Sequence, residues 1–198
     1  MNQSVTMAKR RIAITGGIGS GKSYICRLLA MRGIQVYDCD AAAKRLMRTS
    51  QPLMDSLRQL VGNGVYDAEG QLQKRVLAEF LLASEENKRS VNDVVHPAVA
   101  IDFEQSGLEW LESAILFDSG FDRRVHFDSI VCVAAPLVVR IRRVMDRDHI
   151  ALAKTLQWIH AQLPQRELIR RSDHVVCNDG RAALDEQLDL LLQKVEPL

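Results

Sequence analysis

The chain has 198 residues, of which 47% are hydrophobic and 26% are charged, a composition typical of an ordinary globular protein. Its formal net charge of +1 provides no broad basic surface, so neither nucleic acid nor a membrane is expected as a partner. The longest apolar stretch, near residues 130–139, is far shorter than a membrane-spanning helix. This length predicts one α/β domain with room for a small appended lobe.

The cysteines and the first residues predict a cytoplasmic protein. No two cysteines form a C-x-x-C pair, which favours reduced thiols over a zinc or redox site. The four are Cys26, Cys39, Cys132 and Cys177. Residues 1–11 carry basic residues with no apolar segment before them, which argues against a secretory signal. Met7 is a second candidate start, with residues 1–6 as an extension.

The first predicted elements are a strand, a helix and a second strand. Residues 11–15 read as a short strand that runs into a glycine cluster, and residues 22–31 have helical periodicity. Gly33 is placed to end that helix, and residues 34–38 form the next strand. A βαβ unit with such short connections indicates a parallel sheet with a right-handed crossover.

The middle of the chain, from about residue 41 to residue 105, has mostly helical patterning. Ser84 followed by two glutamates predicts a helix N-cap with acidic first-turn residues. His96-Pro97 predicts a break, with Pro97 at the first position of a new helix. A helical insertion beside a phosphate-binding core usually binds the second substrate, so we expect this segment to do so.

Strands and helices alternate over the rest of the chain, as a parallel sheet requires. We predict strands at residues 108–117, 129–134 and 174–177, and helices at residues 136–147, 149–172 and 181–195. The sequence shows no internal repeat and no low-complexity segment.

The segment Gly16-Gly17-Ile18-Gly19-Ser20-Gly21-Lys22-Ser23 fits the phosphate-loop pattern G-x-x-x-x-G-K-[S/T]. In such a loop, glycines allow consecutive backbone N–H groups to surround a phosphate at the N-terminus of a helix. Lys22 is predicted to reach the β- and γ-phosphates, and the Ser23 hydroxyl to bind Mg²⁺. Because the guanine-recognition string Asn-Lys-x-Asp is absent, the loop favours a small-molecule kinase over a GTPase.

Acidic residues follow two of the predicted strands. Asp38 and Asp40 lie at the carboxyl end of the second strand, the sheet edge where ligands bind in open parallel sheets. A carboxylate there can accept the proton of an attacking hydroxyl, or it can cap the helix that follows. Glu112 ends the third strand, which we expect beside the strand that precedes the phosphate loop, and is either a Mg²⁺ contact or a solvated strand end.

Three arginines recur at helical spacing, namely Arg140, Arg143 and Arg147. They form either a solvated charged face or a phosphate clamp. The polar helical stretch that follows has the character of a lid that closes over ATP and excludes water. His96 is either a packed residue or a substrate contact. Asn178, after the last strand, belongs to a turn that is also able to contact a nucleotide base.

In combination, these residues resemble one known family, the dephospho-CoA kinases. The likeness extends from Arg11 to Val195. It rests, in chain order, on residues 15–23, 38–40, 96–97, 115–117, 143–148, 161–162 and 172–173, and on Asn178. The phosphate loop alone is generic, whereas the ordered set is specific.

The resemblance implies a three-layer P-loop kinase fold (class α/β) with a five-stranded parallel sheet, a helical acceptor-binding insertion and a helical lid. The implied nucleotide-binding core covers residues 8–40, 107–140 and 173–198, the acceptor domain residues 41–106 and the lid residues 141–172. The implied reaction transfers the γ-phosphoryl group of ATP, with Mg²⁺, to the ribose 3′-hydroxyl of dephospho-CoA. A monomer or small homo-oligomer is expected.

Carried over position by position, the resemblance assigns a role to each site residue. The implied catalytic residues are Asp40 as base, Lys22 and Arg143. The implied ATP-binding residues are Gly17, Ile18, Gly19, Ser20, Gly21, Lys22, Ser23, Tyr24, Arg147 and Asn178. The implied acceptor-binding residues are Asp40, His96 and Lys74, and the implied metal ligands are Ser23 and Glu112.

The sequence departs from the family pattern at three of these positions. Tyr24 stands where threonine is common, which leaves its backbone N–H available but adds bulk beside the α-phosphate. Glu112 stands where aspartate is frequent and has a longer reach. Lys74 falls near a usual arginine and cannot bind phosphate in a bidentate manner. Another P-loop small-molecule kinase and a nucleotide-binding regulator are the alternative functions.

Overall fold

The computed structural model describes residues 10–195. Its sheet has five strands in the spatial order β2-β3-β1-β4-β5, which confirms the predicted α/β class with a five-stranded parallel sheet. The strands are β1 (Ile12–Thr15), β2 (Val36–Asp38), β3 (Trp110–Glu112), β4 (Ser129–Ala134) and β5 (His174–Cys177). The pairings of β1 with β3, of β1 with β4 and of β4 with β5 are all parallel.

Nine α-helices accompany these strands over residues 10–195. They are α1 (Lys22–Met31), α2 (Cys39–Thr49), α3 (Gln51–Val61), α4 (Lys74–Ala83), α5 (Glu85–Ser106), α6 (Leu137–Asp148), α7 (Leu152–His160), α8 (Gln165–Arg170) and α9 (Leu184–Val195). None of the helices in this part of the chain is both long and apolar enough to cross a membrane.

The chain divides into two compact units. One contains residues 10–37 and 108–195 and carries most of the sheet, and the other, Asp38–Gly107, contains the four helices α2 to α5. In the sheet-containing unit, α1 and α9 bury apolar residues against the strands. Ile25, Leu29 and Leu188 are each 0% exposed and belong to the same core cluster as Ile14 and Val133. The burial of these side chains fixes the start of α1 at the end of β1.

Helix α1 has the predicted bounds and the predicted ending. Its C-cap residue Arg32 is followed by Gly33, whose φ of +83° lies in the left-handed region that glycine adopts without strain. Gly33 N–H donates to the Ala30 carbonyl and Ile34 N–H donates to the Leu29 carbonyl. These bonds satisfy carbonyl groups that the end of the helix leaves free.

In the helical unit, α2, α3 and α4 pack against the long helix α5. The Ser84 hydroxyl accepts a hydrogen bond from Asn87 N–H at 3.0 Å, which confirms the predicted N-cap. The predicted break at His96-Pro97 is wrong, because Pro97 lies inside the continuous helix Glu85–Ser106. The proline costs about 3 kcal/mol in a helix interior. Buried side chains on both sides of it, including Val91 and Phe103, offset that cost.

Two further predicted elements have different bounds in the structure. The third strand contains three residues, Trp110–Glu112, and not residues 108–117. The apolar residues Leu116 and Phe117 are buried in a turn, so their hydrophobicity reflects burial and not strand pairing. The predicted helix at 149–172 is two helices, because Pro164 stands at the N-cap of α8.

Candidate nucleotide-binding site

The glycine-rich loop connects the end of β1 to the start of α1. Gly16 has a φ of +149° and Gly21 a φ of +92°, values that side-chain-bearing residues rarely adopt. Ser20 N–H donates to the Gly17 carbonyl at 3.1 Å, which closes the turn. The loop therefore precedes a helix N-terminus that leaves backbone N–H groups for an anion.

The side chain of Lys22 lies over this loop. Its Nζ donates to the Gly16 carbonyl at 2.8 Å and lies 3.6 Å from Oε1 of Glu112. The two side chains are only 10% and 15% exposed. Glu112 comes within reach because β3 pairs directly with β1 and ends beside it, as predicted from the sequence. A cation and a carboxylate thus meet beside the phosphate loop.

Ser23 and Tyr24 occupy the exposed first turn of α1. The Tyr24 N–H, a predicted contact for the nucleotide, donates to the Gly21 carbonyl at 3.0 Å. The tyrosine ring is 45% exposed, and the guanidinium carbon of Arg27 lies 5.4 Å from its centroid. The ring therefore lies at the protein surface, beside Arg27.

Two predicted ligands, Arg143 and Asn178, bind the protein side of the loop. Nδ2 of Asn178 donates to the Ser20 carbonyl at 3.0 Å, and Nη1 of Arg143 donates to the same oxygen at 3.3 Å. Nη1 and Nη2 of Arg143 also donate to the carbonyl and the side-chain oxygen of Asn178, at 3.0 and 3.1 Å. Asn178 is only 5% exposed. A side chain at Gly21 would overlap its amide group, so the loop packs directly on this pair.

Arg147, the other predicted lid contact, pairs with its neighbour. Its Nε and Nη2 donate to the two carboxylate oxygens of Asp148 at 2.9 and 2.7 Å. This pair raises the pKa of Arg147 and lowers the pKa of Asp148. The Arg147 side chain is 62% exposed. Of the three arginines at helical spacing, Arg147 is thus the one on the solvated face.

Two further side chains reach the loop, Arg140 and Gln162, and neither is among the site residues that the resemblance implies. Nε of Arg140 donates to the Ile18 carbonyl at 2.9 Å, and Ile18 N–H donates to Oε1 of Gln162 at 2.7 Å. Helical spacing grouped Arg140 with Arg143 and Arg147, yet Arg140 is 5% exposed. Burial lowers the pKa of its guanidinium. Residues 161–162 are one of the segments on which the family resemblance rests, and this was the sequence signal that could have indicated a role for Gln162.

The predicted acceptor-side residues lie in the helical unit. Asp38 is the N-cap of α2, since its Oδ1 accepts from Ala41 N–H at 2.9 Å. Asp40 is therefore not the cap and stands exposed in the first turn of the helix. Lys74 is the exposed first residue of α4, and His96 is half-buried within α5. A cavity of about 380 Å³ in this unit is lined by Pro97, the neighbour of His96, and by residues of α2, α3 and α5.

A family model and similar proteins of known sequence identify one family. The family model described as CoaE, dephospho-CoA kinase, matches residues 10–183. A dephospho-CoA kinase of Bacteroides fragilis strain YCH46 is 40% identical over 185 residues, which cover 90% of this chain and 89% of that protein. The crystal structure of TT1252 from Thermus thermophilus is 34% identical, with a TM-score of 0.78, over 96% of this chain and 99% of that one. A dephospho-CoA kinase from Campylobacter jejuni, at 16% identity, shares the fold with a TM-score of 0.64 over 94% and 97% of the two chains.

Proposed function

The chain belongs to the dephospho-CoA kinase family, and we propose that it transfers the γ-phosphoryl group of ATP to the ribose 3′-hydroxyl of dephospho-CoA. The observation that carries this proposal is the coincidence of a family match over residues 10–183 with an intact phosphate loop whose lysine lies over it. Phosphoryl transfer depends on positioning and on charge stabilisation, and the loop offers both.

In the proposed reaction, the Lys22 ammonium and backbone N–H groups of residues 17–24 hold the ATP phosphates, with the exception of Ile18 N–H, which Gln162 binds. The Tyr24 N–H would have to exchange its bond to the Gly21 carbonyl for the nucleotide. Arg143 and Asn178 support the loop at the Ser20 carbonyl, and we propose that they also approach the nucleotide when it binds. Arg147, being exposed, is proposed as a phosphate contact from the lid, where it would exchange Asp148 for a phosphate.

Asp40 is proposed as the base. The acceptor 3′-hydroxyl gives its proton to the Asp40 carboxylate while its oxygen forms a bond to the γ-phosphorus. The bond from that phosphorus to the β–γ bridging oxygen breaks, and ADP leaves with the electron pair. The capping of α2 by Asp38 supports this role, because it leaves the Asp40 carboxylate exposed and free of the cap.

Mg²⁺ is proposed to bind at Ser23 and Glu112, together with oxygens of ATP. The donor set fits, since a hydroxyl and a carboxylate are hard oxygen ligands and magnesium usually takes few protein ligands beside a triphosphate. No cluster of three or more acidic, histidine or cysteine side chains that could hold a metal occurs among residues 10–195. When bound, the ion would neutralise part of the negative charge that develops on the phosphate oxygens.

We propose that the acceptor is held by the helical segment 41–106, with His96 and Lys74 as contacts, and that segment 141–172 acts as the lid. The remaining segments, 8–40, 107–140 and 173–198, form the proposed nucleotide-binding core, of which residues 8–9 and 196–198 lie outside the described residues. All four cysteines are free thiols, which supports action in the reducing cytoplasm. A monomer or small homo-oligomer is proposed.

An acceptor panel tests the function. The purified protein is incubated with ATP, Mg²⁺ and one of several acceptors (dephospho-CoA, shikimate, a nucleoside monophosphate, or none), and ADP formation is measured. We expect rapid ADP formation with dephospho-CoA and slow formation without an acceptor. Turnover with another acceptor and not with dephospho-CoA would overturn the proposal. Slow hydrolysis that no acceptor accelerates would instead indicate a nucleotide-binding regulator.

A further inference from the structure

Both backbone polar groups of Ile18, at the tip of the phosphate loop, are bound by side chains from distant parts of the chain. Its N–H donates to Oε1 of Gln162 at 2.7 Å, and its carbonyl accepts from Nε of Arg140 at 2.9 Å. Both distances are within the ordinary range of good hydrogen bonds. A loop tip that bonded only to water would be free to move, whereas this one is fixed from two sides.

Arg140 also lies in direct contact with the glycines of the loop. A side chain at Gly17 would overlap the Arg140 guanidinium, and a Cβ at Gly19 would lie 2.6 Å from the Arg140 carbonyl oxygen. Glycine at these two positions therefore allows the loop to rest directly on Arg140. The arrangement explains why Gly17 is a glycine although its own backbone conformation does not demand one.

The charge of Arg140 has no counter-ion among residues 10–195. The residue is 5% exposed, and its hydrogen bond within that part of the chain goes to a neutral carbonyl. Two neighbours on the same helix, Arg142 and Arg147, do lie beside carboxylates, those of Asp146 and Asp148. Buried charges are costly and are usually paired, so an unpaired buried arginine beside a phosphate loop is suited to an anion that arrives as a ligand.

Gln162 is held in position by its own segment. The residue that follows it, Leu163, donates its N–H to Oδ1 of Asp118 at 3.2 Å. Further on, Oε1 of Gln165 accepts from Ala135 N–H at 3.2 Å. These two hydrogen bonds, to Asp118 and from Ala135, fix the connection between α7 and α8. They therefore restrict the movement of the Gln162 side chain away from Ile18 N–H.

We propose that Arg140 and Gln162 are positioning residues that clamp Ile18 and so hold the phosphate loop in its ATP-binding shape, and that Arg140 adds an uncompensated positive charge that favours the triphosphate. This inference rests on the proposed binding of ATP, and not on the identity of the acceptor. The clamp lowers the cost of ordering the loop when ATP binds, since the loop is already ordered. The charge increases affinity because it is poorly screened in a buried site.

Isosteric substitutions separate the two contributions. In Arg140→Gln, Nε2 of the glutamine stands as many bonds from the backbone as Nε of the arginine, so the donor to Ile18 is kept and the charge is lost. In Gln162→Met, the length of the side chain is kept and the acceptor is lost. Arg142→Gln, exposed on the same helix, and Gln157→Met, exposed on α7, are the matched controls.

Three measurements are made on each variant of the full chain. Calorimetry without any acceptor gives the Kd of ATP, so its result does not depend on whether dephospho-CoA is the substrate. Amide hydrogen exchange in the nucleotide-free protein reports whether Ile18 N–H is protected. Kinetics with the acceptor give the KM values for both substrates, which separate a local effect on ATP from a general disturbance.

For Arg140→Gln we expect ATP to bind about tenfold more weakly while Ile18 N–H exchange stays within about twofold of the parent protein. For Gln162→Met we expect Ile18 N–H to exchange at least about tenfold faster and ATP to bind several-fold more weakly. The KM for the acceptor should change by less than about twofold in both variants, and both controls should match the parent protein.

Three results would overturn the proposal. Arg140→Gln with an unchanged Kd for ATP would show that the charge does not serve the nucleotide. Gln162→Met with unchanged Ile18 exchange would show that there is no clamp, and equal losses for ATP and the acceptor would indicate general disruption instead. The melting temperature of each variant is measured to detect a loss of folding. Arg140→Met, which lacks both the donor and the charge, should bind ATP more weakly than Arg140→Gln.

Discussion

The ammonium group of Lys22 lies 3.6 Å from the carboxylate of Glu112, and both side chains are largely shielded from water. The contact joins the first turn of α1 to the end of β3, two elements that the parallel pairing of β1 with β3 brings side by side. Glu112 and the Gly16 carbonyl hold the lysine over the loop. A triphosphate competes for the same ammonium.

Lys22→Ala should lower both the affinity for ATP and the transfer rate. The substitution removes the ammonium that lies over the loop, and with it the positive charge that would face the phosphates. We expect at least about a hundredfold loss of kcat/KM for ATP, measured by steady-state kinetics. Lys194→Ala, an exposed residue of α9, is the control. A variant that retained more than about a tenth of the parent kcat/KM would contradict the role of Lys22.

Glu112→Gln should raise the Mg²⁺ concentration needed for half-maximal activity, because a neutral amide is a weaker ligand for a hard cation than a carboxylate. We expect a shift of about tenfold in a Mg²⁺ titration at fixed ATP concentration. Glu109→Gln, just before the same strand, is the control and should not shift the curve. If both variants gave the same Mg²⁺ dependence as the parent protein, Glu112 would serve only to hold Lys22.

Asp40→Asn should keep the affinity for ATP and lose most of the transfer rate. The phosphate-loop contacts survive in this variant, while the acceptor hydroxyl loses its base, a contribution of about 10²- to 10⁴-fold. Asp38→Asn is the matched control two residues away, because asparagine also caps helices well and should preserve α2. Calorimetry and single-turnover kinetics give the two quantities. A near-normal rate in Asp40→Asn would remove Asp40 from the chemistry.

Gly21→Ala should destabilise the protein much more than Gly33→Ala. Both glycines have positive φ, at +92° and +83°, so both variants carry a backbone strain of about 1 kcal/mol. A Cβ at Gly21 would overlap the Asn178 amide, whereas a Cβ at Gly33 would meet no atom within 4 Å. Urea unfolding should show an extra loss of about 2 kcal/mol for Gly21→Ala. Equal losses would mean that the contact between the loop and Asn178 contributes nothing.

The sequence was sufficient for those features that local physical rules determine. Helix α1 and strand β5 have the predicted bounds, because apolar periodicity and a terminal glycine mark the helix and flanking polar residues mark the strand. The position of Glu112 at the end of a strand next to β1 was also predicted. These features depend on residues that are close in sequence or on the topology that a βαβ unit imposes.

Features that depend on distant contacts were not available from the sequence. Local rules place a helix boundary at Pro97, but α5 continues through this residue. Its packing against three other helices stabilises the helix on both sides of the proline, and that packing is not visible in the local sequence. Arg140, Arg143 and Arg147 share a helical spacing, yet two of them reach the phosphate loop and the third pairs with Asp148. Which arginine is buried depends on where the glycine-rich loop lies in three dimensions.

Cys132 should make the stability of the protein fall at high pH. Burial raises the pKa of this thiol from an ordinary value of 9.0 to about 11, and the side chain is 0% exposed. At pH values between these two pKa values, the unfolded state binds fewer protons than the folded state. The free energy of unfolding therefore falls as pH rises, by up to about 1.4 kcal/mol per pH unit. Urea unfolding from pH 8 to pH 10.5 should show a steeper decline for the parent protein than for Cys132→Ala.

The control for this prediction is Cys177→Ala, which removes an exposed thiol and should follow the parent protein. The difference in slope between Cys132→Ala and the parent protein isolates the thiol from the lysines and tyrosines that titrate in the same range. Parallel slopes for all three proteins would contradict a raised pKa at Cys132.

The most direct test of the central claim is to find where the transferred phosphoryl group goes. The protein is mixed with dephospho-CoA, Mg²⁺ and ATP labelled at the γ-phosphorus, and the products are separated and examined by phosphorus NMR and mass spectrometry. The account predicts that the label is found on the ribose 3′-oxygen of dephospho-CoA, in an amount equal to the ADP formed. Label found in inorganic phosphate, with dephospho-CoA unchanged, would contradict it.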